Sequence, residues 1–294
     1  TTRKVEVGRF RHALATAIMA DGHSVSLKDM NYLFPVYLYA EDGSLEGLQD
    51  RQSNFQPRFV NMLSRAVTLE CQHDGRGDLV RSFGPEDIMH FIYGQFHSRS
   101  FQERYAEFLG IEFPRVFLPS SKDVFVALCR LGADLVAFHL LDDAYDAASW
   151  NRGGTYQRNP LRHAISRQGG KGEWEIAKGH PRFSDGRIYV NSGRWFDGVP
   201  QCVWEFQVGG YQACEKWLKD RKGQRLSPDD IAHYQRILVA INETIRVTGE
   251  IEKVIDDHGG WLSAFVTDSV AEMDGGSVCP SGLHNGEGDG SPFA

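Results

Sequence analysis

Three polar side chains near the end of one predicted helix could bind a metal ion. His139 is followed by Asp142 and Asp143, so the three share one helical face, and His90 or His97 would add a ligand if another helix packs there. Zinc sites need three or four protein ligands, so a metal-dependent hydrolase or nuclease is one hypothesis. A core or capping histidine explains the same pattern. We favour that interpretation and expect no metal.

Other catalytic patterns are missing from the sequence or incomplete. There is no P-loop, no G-x-G-x-x-G, no G-x-S-x-G and no H-E-x-x-H. Asn159-Pro160-Leu161-Arg162 lacks the second proline and the aromatic residue of the tetrapeptide with which amino-methyltransferases hold a flipped base. Glu173, Glu175 and Lys178 lack the aspartate of a nuclease cluster. We predict that the chain catalyses nothing alone.

A segment rich in guanidinium, amide and ammonium groups suits the reading of DNA. Arginine pairs with guanine, asparagine and glutamine pair with adenine, and lysine holds phosphates. The candidate base contacts are Arg187, Asn191, Arg194 and Gln207. The candidate phosphate contacts are Arg152, Arg158, Lys171, Lys216, Lys219, Arg221, Lys222 and Arg225. We interpret the aromatic residues of the same segment as core, namely Tyr189, Trp204, Phe206, Tyr211 and Trp217.

The charge of the chain is unevenly distributed. The net charge is −7, but residues 151–225 hold 14 Lys and Arg against 7 Asp and Glu. Affinity for a polyanion depends on local cations and counterion release, so this basic segment is a candidate phosphate-facing surface. A solvated surface without a ligand is the alternative interpretation.

The elements that position these residues change in character along the chain. Helical spacing and capping residues predict helices over 54–68, from Pro85, from Ser98 or Ser100, and over 123–147. A buried strand is predicted at 32–39. Strands with glycine turns are predicted after Trp150, among them one at 203–208, and a short helix is predicted at 211–222. Ser227-Pro228-Asp229-Asp230 begins a helix of roughly thirty residues. The fold class is α+β, with a helical first half, a β-rich basic segment and a long C-terminal scaffold helix.

Composition places the chain among ordinary globular proteins. It has 294 residues, 41% hydrophobic, and no run of 18 apolar residues that could span a membrane. Its N-terminus makes a poor secretory signal, so we expect a cytoplasmic protein. The five cysteines never form C-x-x-C, which indicates buried reduced thiols rather than disulfides or a zinc ribbon.

Two long blocks of sequence resemble a known family. Residues 85–119 and 203–245, with NYLFPVYLY (31–39) before them, are similar to the C-terminal specificity domain of Type ISP restriction-modification enzymes and related large adenine-specific DNA methyltransferases. The resemblance covers about residues 31–255. It implies a target recognition domain that binds duplex DNA for a methyltransferase domain, which would hold S-adenosylmethionine. No methyltransferase, helicase or nuclease motif lies in this chain, so it is either a piece of a larger protein or a stand-alone specificity subunit.

The resemblance divides the chain into three parts. Residues 1–30 are a leading segment or linker, residues 31–258 the recognition domain, and residues 259–294 a flexible tail rich in Gly, Ser and Asp. Within the domain, 31–150 are mainly helical, 151–225 form the basic reader and 226–258 the long helix. The alternative function is a protein-docking module that binds its partner through the helical face and reads no bases.

Overall fold

The mainly helical first half and the mixed second half are both present in a computed structural model, which describes residue 1 and residues 13–18, 30–39, 51–141, 168–208 and 211–266. The first half contains β1 (Tyr37–Leu38), β2 (Gln52–Ser53), α1 (Pro57–Val67), β3 (Glu70–Cys71), β4 (Ser82–Phe83), α2 (Pro85–His97), α3 (Arg99–Arg104), α4 (Ala106–Leu109), β5 (Leu118–Pro119) and α5 (Lys122–Leu140). The second half contains β6 (Gln168–Gly170), β7 (Arg182–Ser184), β8 (Arg187–Tyr189), β9 (Arg194–Phe196), α6 (Gln201–Trp204), β10 (Gln207–Val208), β11 (Tyr211–Gln212), α7 (Ala213–Lys219), α8 (Pro228–Asp257), α9 (Trp261–Ala264) and β12 (Phe265–Val266). The predicted α+β class is confirmed.

The predicted helices begin where capping residues stand. The Ser121 hydroxyl accepts from the Val124 N–H at 3.3 Å, and the Ser98 hydroxyl accepts from the Phe101 N–H at 3.1 Å. Ser227 and Asp230 form a capping box before the 30-residue α8. Each cap satisfies N–H groups that have no partner inside the helix.

The buried core of the first half is called the helical core. Helices α2 and α5 cross there at two glycines. A Cβ atom on Gly132 would lie 1.8 Å from the His90 carbonyl oxygen, and one on Gly94 would lie 3.0 Å from the Leu128 carbonyl oxygen. The two backbones are therefore in direct contact. Around the crossing lie the fully buried aromatic side chains of Phe83, Phe91, Phe101, Phe125 and Phe265.

A four-stranded antiparallel sheet in the order β6-β9-β8-β7 forms the second half together with α6, α7 and the first part of α8; we call this half the sheet unit. Side chains alternate between the faces of a strand. Ile188 and Phe196 are opposite each other in the register and fully buried. The Phe196 ring lies 4.8 Å from the Tyr234 ring of α8. The sheet thus covers α8 with one face.

Helix α8 takes part in both cores. Ile231, Tyr234 and Leu238 pack in the core of the sheet unit. Ile251 and Ile255, further along the same helix, pack in the helical core. The predicted scaffold role of this helix therefore has a physical basis in buried contacts at both of its ends.

Two predicted strands differ from the structure. In the predicted buried strand at 32–39, only Tyr37–Leu38 is a strand, and Leu38 is 51% exposed. Pro35 lacks an N–H for a ladder, and β2 is the partner strand of β1. In the predicted strand at 203–208, the residues after Pro200 form α6 and only Gln207–Val208 is extended. Proline at the start of a turn favours the helix there.

The packed part of the chain extends beyond the predicted start of the tail at residue 259. Trp261 and Phe265 are buried, and β12 pairs with β5. These apolar side chains join the aromatic residues of the helical core, which the polar average composition of 259–294 conceals. The start of the tail is therefore corrected, and residues 267–294 lie outside the described residues, as do residues 2–12 and 19–29 of the leading segment.

Candidate nucleic-acid interface

The second face of the sheet points away from α8. Arg187 and Tyr189 flank the buried Ile188 on β8, and Trp195 precedes the buried Phe196 on β9. Arg182 on β7 lies opposite Tyr189 and is exposed. The Arg187 guanidinium lies 5.4 Å from the centre of the Trp195 ring and 3.0 Å from the Asp197 carboxylate. This face therefore carries arginine and aromatic side chains together, a combination that suits contact with nucleic acid.

Two candidate base contacts hold a loop of their own chain. The Asn191 amide donates to the carbonyl oxygens of Glu173 and Glu175, both at 2.9 Å, and its oxygen accepts from the Gly193 N–H at 2.8 Å. The Arg194 guanidinium donates to the carbonyl oxygens of Gly172 at 2.7 Å and Gly170 at 3.0 Å. Both residues thus fix the segment that joins β6 to β7. Base contacts by either remain a prediction.

Replacing Asn191 by alanine is expected to destabilise the sheet unit. Three hydrogen bonds would be lost, each with a net worth of about 1 kcal/mol, so the free energy of unfolding should fall by about 2–3 kcal/mol. Urea unfolding measures this loss, with Ser192→Ala at the exposed neighbour as the control. Unchanged stability together with an altered DNA site preference would instead assign Asn191 to base reading.

Several candidate phosphate contacts already face a carboxylate. Each pair joins exposed or half-buried side chains at the surface, where an ion pair contributes at most about 1 kcal/mol. The pairs are Lys216 with Asp220 at 2.6 Å, Lys219 with Glu215 at 2.9 Å, Arg221 with Asp230 at 3.7 Å and Arg225 with Glu173 at 3.1 Å. A phosphate would have to compete with these carboxylates.

Other cations of the sheet unit face no carboxylate among the residues that the structure describes. Lys171, Lys178 and Lys222 are exposed and make no ion pair within the described part of the chain. Glu175 pairs with Arg225 in an antiparallel bridge, and the Gly223 N–H donates to the Ile176 carbonyl at 3.0 Å. This register brings Lys178 and Lys222 to the same end of the paired segments.

The remaining candidates fall in different places. Gln207 lies in the exposed hairpin of β10 and β11. Arg152 and Arg158 lie outside the described residues. The prediction that Tyr211 belongs to the core is wrong, since this residue is 51% exposed at the hairpin. Trp204, Phe206 and Trp217 do pack against the core.

Sequence reasoning did not select Lys178 or Arg182 as candidate contacts, and it placed Tyr189 in the core. The signal was present for Tyr189, because Ile188 alternates with it along the strand. The position of Lys178 beside Lys222 depends on the pairing of Glu175 with Arg225, two segments distant in sequence, and spacing along the chain does not reveal this pairing.

The histidine of the metal hypothesis is held by other side chains. His139 Nδ1 lies 2.6 Å from the Tyr93 hydroxyl, and its Nε2 lies 3.0 Å from the Thr244 hydroxyl, which itself donates to the Ala240 carbonyl at 2.8 Å. The His139 Nε2–H therefore donates to the Thr244 hydroxyl. Burial lowers the pKa of the imidazole to about 3, which keeps it neutral near pH 7. Asp142 and Asp143 lie outside the described residues.

Neither a metal cluster nor a membrane-spanning helix is found in the described part of the chain. Among the described residues, no three His, Cys, Asp or Glu side chains come close enough together to hold a metal ion. Within the same ranges, no helix combines the length and the apolar character that crossing a membrane requires.

Comparison with known proteins gives one family and several solved structures. The family model described as the Type ISP C-terminal specificity domain matches residues 1–250. The ATP-dependent Type ISP restriction-modification enzyme LlaBIII bound to DNA is 20% identical over 75% of this chain and 13% of its own, with a TM-score of 0.43. The DrdV–DNA complex is 19% identical over 57% of this chain and 18% of its own, with a TM-score of 0.40. A nuclease-deletion mutant of the Type ISP enzyme LlaGI in complex with a DNA substrate mimic is 20% identical over 58% of this chain and 13% of its own, with a TM-score of 0.35.

The chain thus spans less than a fifth of the length of these solved chains. No curated protein matches the sequence.

Proposed function

The chain belongs to the Type ISP C-terminal specificity domain family, and on this premise we propose that it recognises a DNA sequence for a methyltransferase. The family match over residues 1–250 is the observation that carries the proposal, and it agrees with the resemblance found in the sequence. The chain would bind duplex DNA and position it for methylation of adenine. The methyltransferase would be another part of a longer protein or a separate subunit in the cytoplasm.

The basic sheet unit is the surface on which we expect this DNA to lie. A cation that neutralises a phosphate releases condensed counterions and gains most when no carboxylate has to be displaced. Among the residues that the structure describes, Lys171, Lys178 and Lys222 meet this condition. Lys216, Lys219, Arg221 and Arg225 would add attraction but keep an acidic neighbour near the DNA.

Base reading would come from the exposed face of the sheet and from the hairpin of β10 and β11. Arg187, Tyr189 and Gln207 have side chains at the surface there. A good bidentate contact discriminates against a wrong base by about 1–3 kcal/mol. S-adenosylmethionine would bind the methyltransferase domain, where the methyl transfer would take place.

Removing Lys178 and Lys222 is expected to weaken binding to all DNA sequences alike. In a plot of log K against log salt concentration the slope is negative. The double variant Lys178→Ala/Lys222→Ala should reduce the magnitude of this slope by about 2, roughly one unit for each lost phosphate contact. Fluorescence anisotropy with a randomised duplex between about 50 and 200 mM salt measures the slope, and sequencing of the bound fraction shows the preferred site.

The control for this experiment is Arg58→Ala/Arg65→Ala, which removes the same charge from exposed positions on α1. An equal change of slope in both double variants would mean that only net charge matters. No binding by the unmodified chain at about 50 mM salt would contradict DNA recognition by this domain alone.

An exposed apolar cluster supports the docking module as a second function. Leu33 is 49% and Phe34 46% exposed, and the rings of Tyr32 and Phe34 lie 4.9 and 5.6 Å from that of Phe113. Exposed apolar patches often mark protein interfaces. Docking through the helical half and DNA binding through the sheet unit are compatible, and a Phe34→Ser variant that loses partner binding but keeps DNA affinity would separate them.

A further inference from the structure

A groove on the first half of the chain is lined by apolar side chains and by cations. It lies between the loop before β4 and the first turns of α5, and its volume is about 310 Å³. The residues that line it are Leu79, Val80, Lys122, Asp123, Val126, Ala127 and Arg130. None of them belongs to the basic segment described above, so the groove is a separate surface.

The loop at one side of the groove is fixed by its own hydrogen bonds. One oxygen of Asp78 accepts from the N–H groups of Val80 at 2.8 Å, Arg81 at 2.7 Å and Ser82 at 3.0 Å. Leu79 adopts a left-handed backbone with a φ of 57°. The Lys122 ammonium donates to the Val80 carbonyl at 2.7 Å and ties the loop to α5. A ligand of the groove would therefore bind a loop that is already ordered.

Two cations, Lys122 and Arg130, and one carboxylate, Asp123, line the groove, and Arg81 follows Val80 directly in the loop. Arg81 and Arg130 are exposed and make no ion pair in the part of the chain that the structure describes. The three backbone hydrogen bonds lower the pKa of Asp78 to about 2 and occupy its charge within the loop. Asp123 lies in the first turn of α5, where the helix dipole favours a carboxylate. The cations therefore remain available to an anionic ligand.

We propose that this groove binds the sugar–phosphate backbone of DNA as a second contact surface. The inference rests on the proposed function, which supplies the ligand. Lys122 and Arg130 of the lining would neutralise phosphates, with Arg81 of the adjoining loop beside them in sequence. The apolar face of a deoxyribose would pack on Leu79 and on Val80, and the latter is 61% exposed. Contacts of this kind position a duplex without reading its sequence.

The test compares Arg81→Ala/Arg130→Ala with the control Arg58→Ala/Arg65→Ala in the anisotropy titration. We expect the groove variant to reduce the magnitude of the negative slope of log K against log salt concentration by about 2. Between about 50 and 200 mM salt the unmodified chain should therefore lose about ten times more affinity than the variant. The preferred site should stay the same. Because both arginines are exposed, circular dichroism should find the variant folded.

A second pair of variants probes the groove itself. Val80→Asp places a negative charge where the sugar–phosphate backbone of the DNA would lie. Val80→Asn introduces a side chain of nearly the same shape as aspartate but without the charge. We expect Val80→Asp to bind DNA more weakly than Val80→Asn, with a difference that shrinks at high salt.

The outcomes separate this inference from the proposed function. If groove variants bind like the control while Lys178→Ala/Lys222→Ala binds weakly, the groove proposal is overturned and DNA recognition stands. If the unmodified chain does not bind DNA at all, both are overturned. If the groove variants instead lose binding only to an acidic peptide, the groove is a protein contact and the proposal is wrong.

Discussion

Alanine in place of Gly132 is expected to lower the free energy of unfolding by about 3 kcal/mol. The new Cβ would lie 1.8 Å from the carbonyl oxygen and 2.7 Å from the carbonyl carbon of His90, and 3.1 Å from the Gly94 nitrogen. All three atoms belong to backbone, so α2 and α5 have to move apart. Overpacking of a core typically costs about 1–3 kcal/mol, and here it would also disturb the aromatic packing around the crossing.

Gly249 provides a matched control on α8. It is exposed, it lies inside a helix, and a Cβ there would meet no atom within 4 Å. Gly249→Ala should therefore stabilise the protein by up to about 1 kcal/mol, because alanine has the higher helix propensity. Urea unfolding of both variants gives the comparison. Equal effects of the two substitutions would contradict the close crossing of α2 and α5.

Acid is expected to destabilise the protein before most of its carboxylates are protonated. Burial lowers the pKa of His90 to about 3, of His97 to about 4 and of His139 to about 3. In the unfolded chain each has a pKa near 6.5, so below that pH the unfolded state binds more protons and stability falls. The loss approaches about 1.4 kcal/mol per pH unit for each histidine, or about 2.5 kcal/mol each at pH 4.5.

Two measurements check this pH dependence. The free energy of unfolding in urea should be nearly constant from pH 7.5 to 7 and then fall with a slope that approaches three protons near pH 5, from these histidines. In the folded protein, the NMR signals of the three imidazoles should not titrate above pH 5. Titration of any of them between pH 6 and 7 would contradict its neutral, buried state.

Helix starts could be predicted from sequence because their causes are local. Ser227, Pro228 and Asp230 stand within four residues of each other and together define a cap. The strands were harder to predict, because a strand of two or three residues shows too little alternation of apolar and polar side chains to be identified. Their pairing is set by distant segments, as when β12 joins β5 across the chain.

The candidate site was predictable in composition but not in contacts. The basic segment was visible as an excess of charge, whereas the pairing of Arg225 with Glu173 was not. Asn191 illustrates the difficulty, since its partners are backbone carbonyls that any sequence would supply. An amide that reads adenine and an amide that holds a loop look alike in a sequence.

The position of α8 has a consequence for the exchange of specificity between relatives. Ile231 to Ile241 belong to the core of the sheet unit, and Val247 to Ile255 to the helical core, so the border between the two halves runs through the middle of a continuous helix. A chimera with a new sheet unit would therefore need its junction near the middle of α8, with the buried face of the first half of the helix transferred as well. A substitution at the exposed face of the sheet would leave both cores intact, whereas the exchange of a segment that ends inside α8 would disturb them.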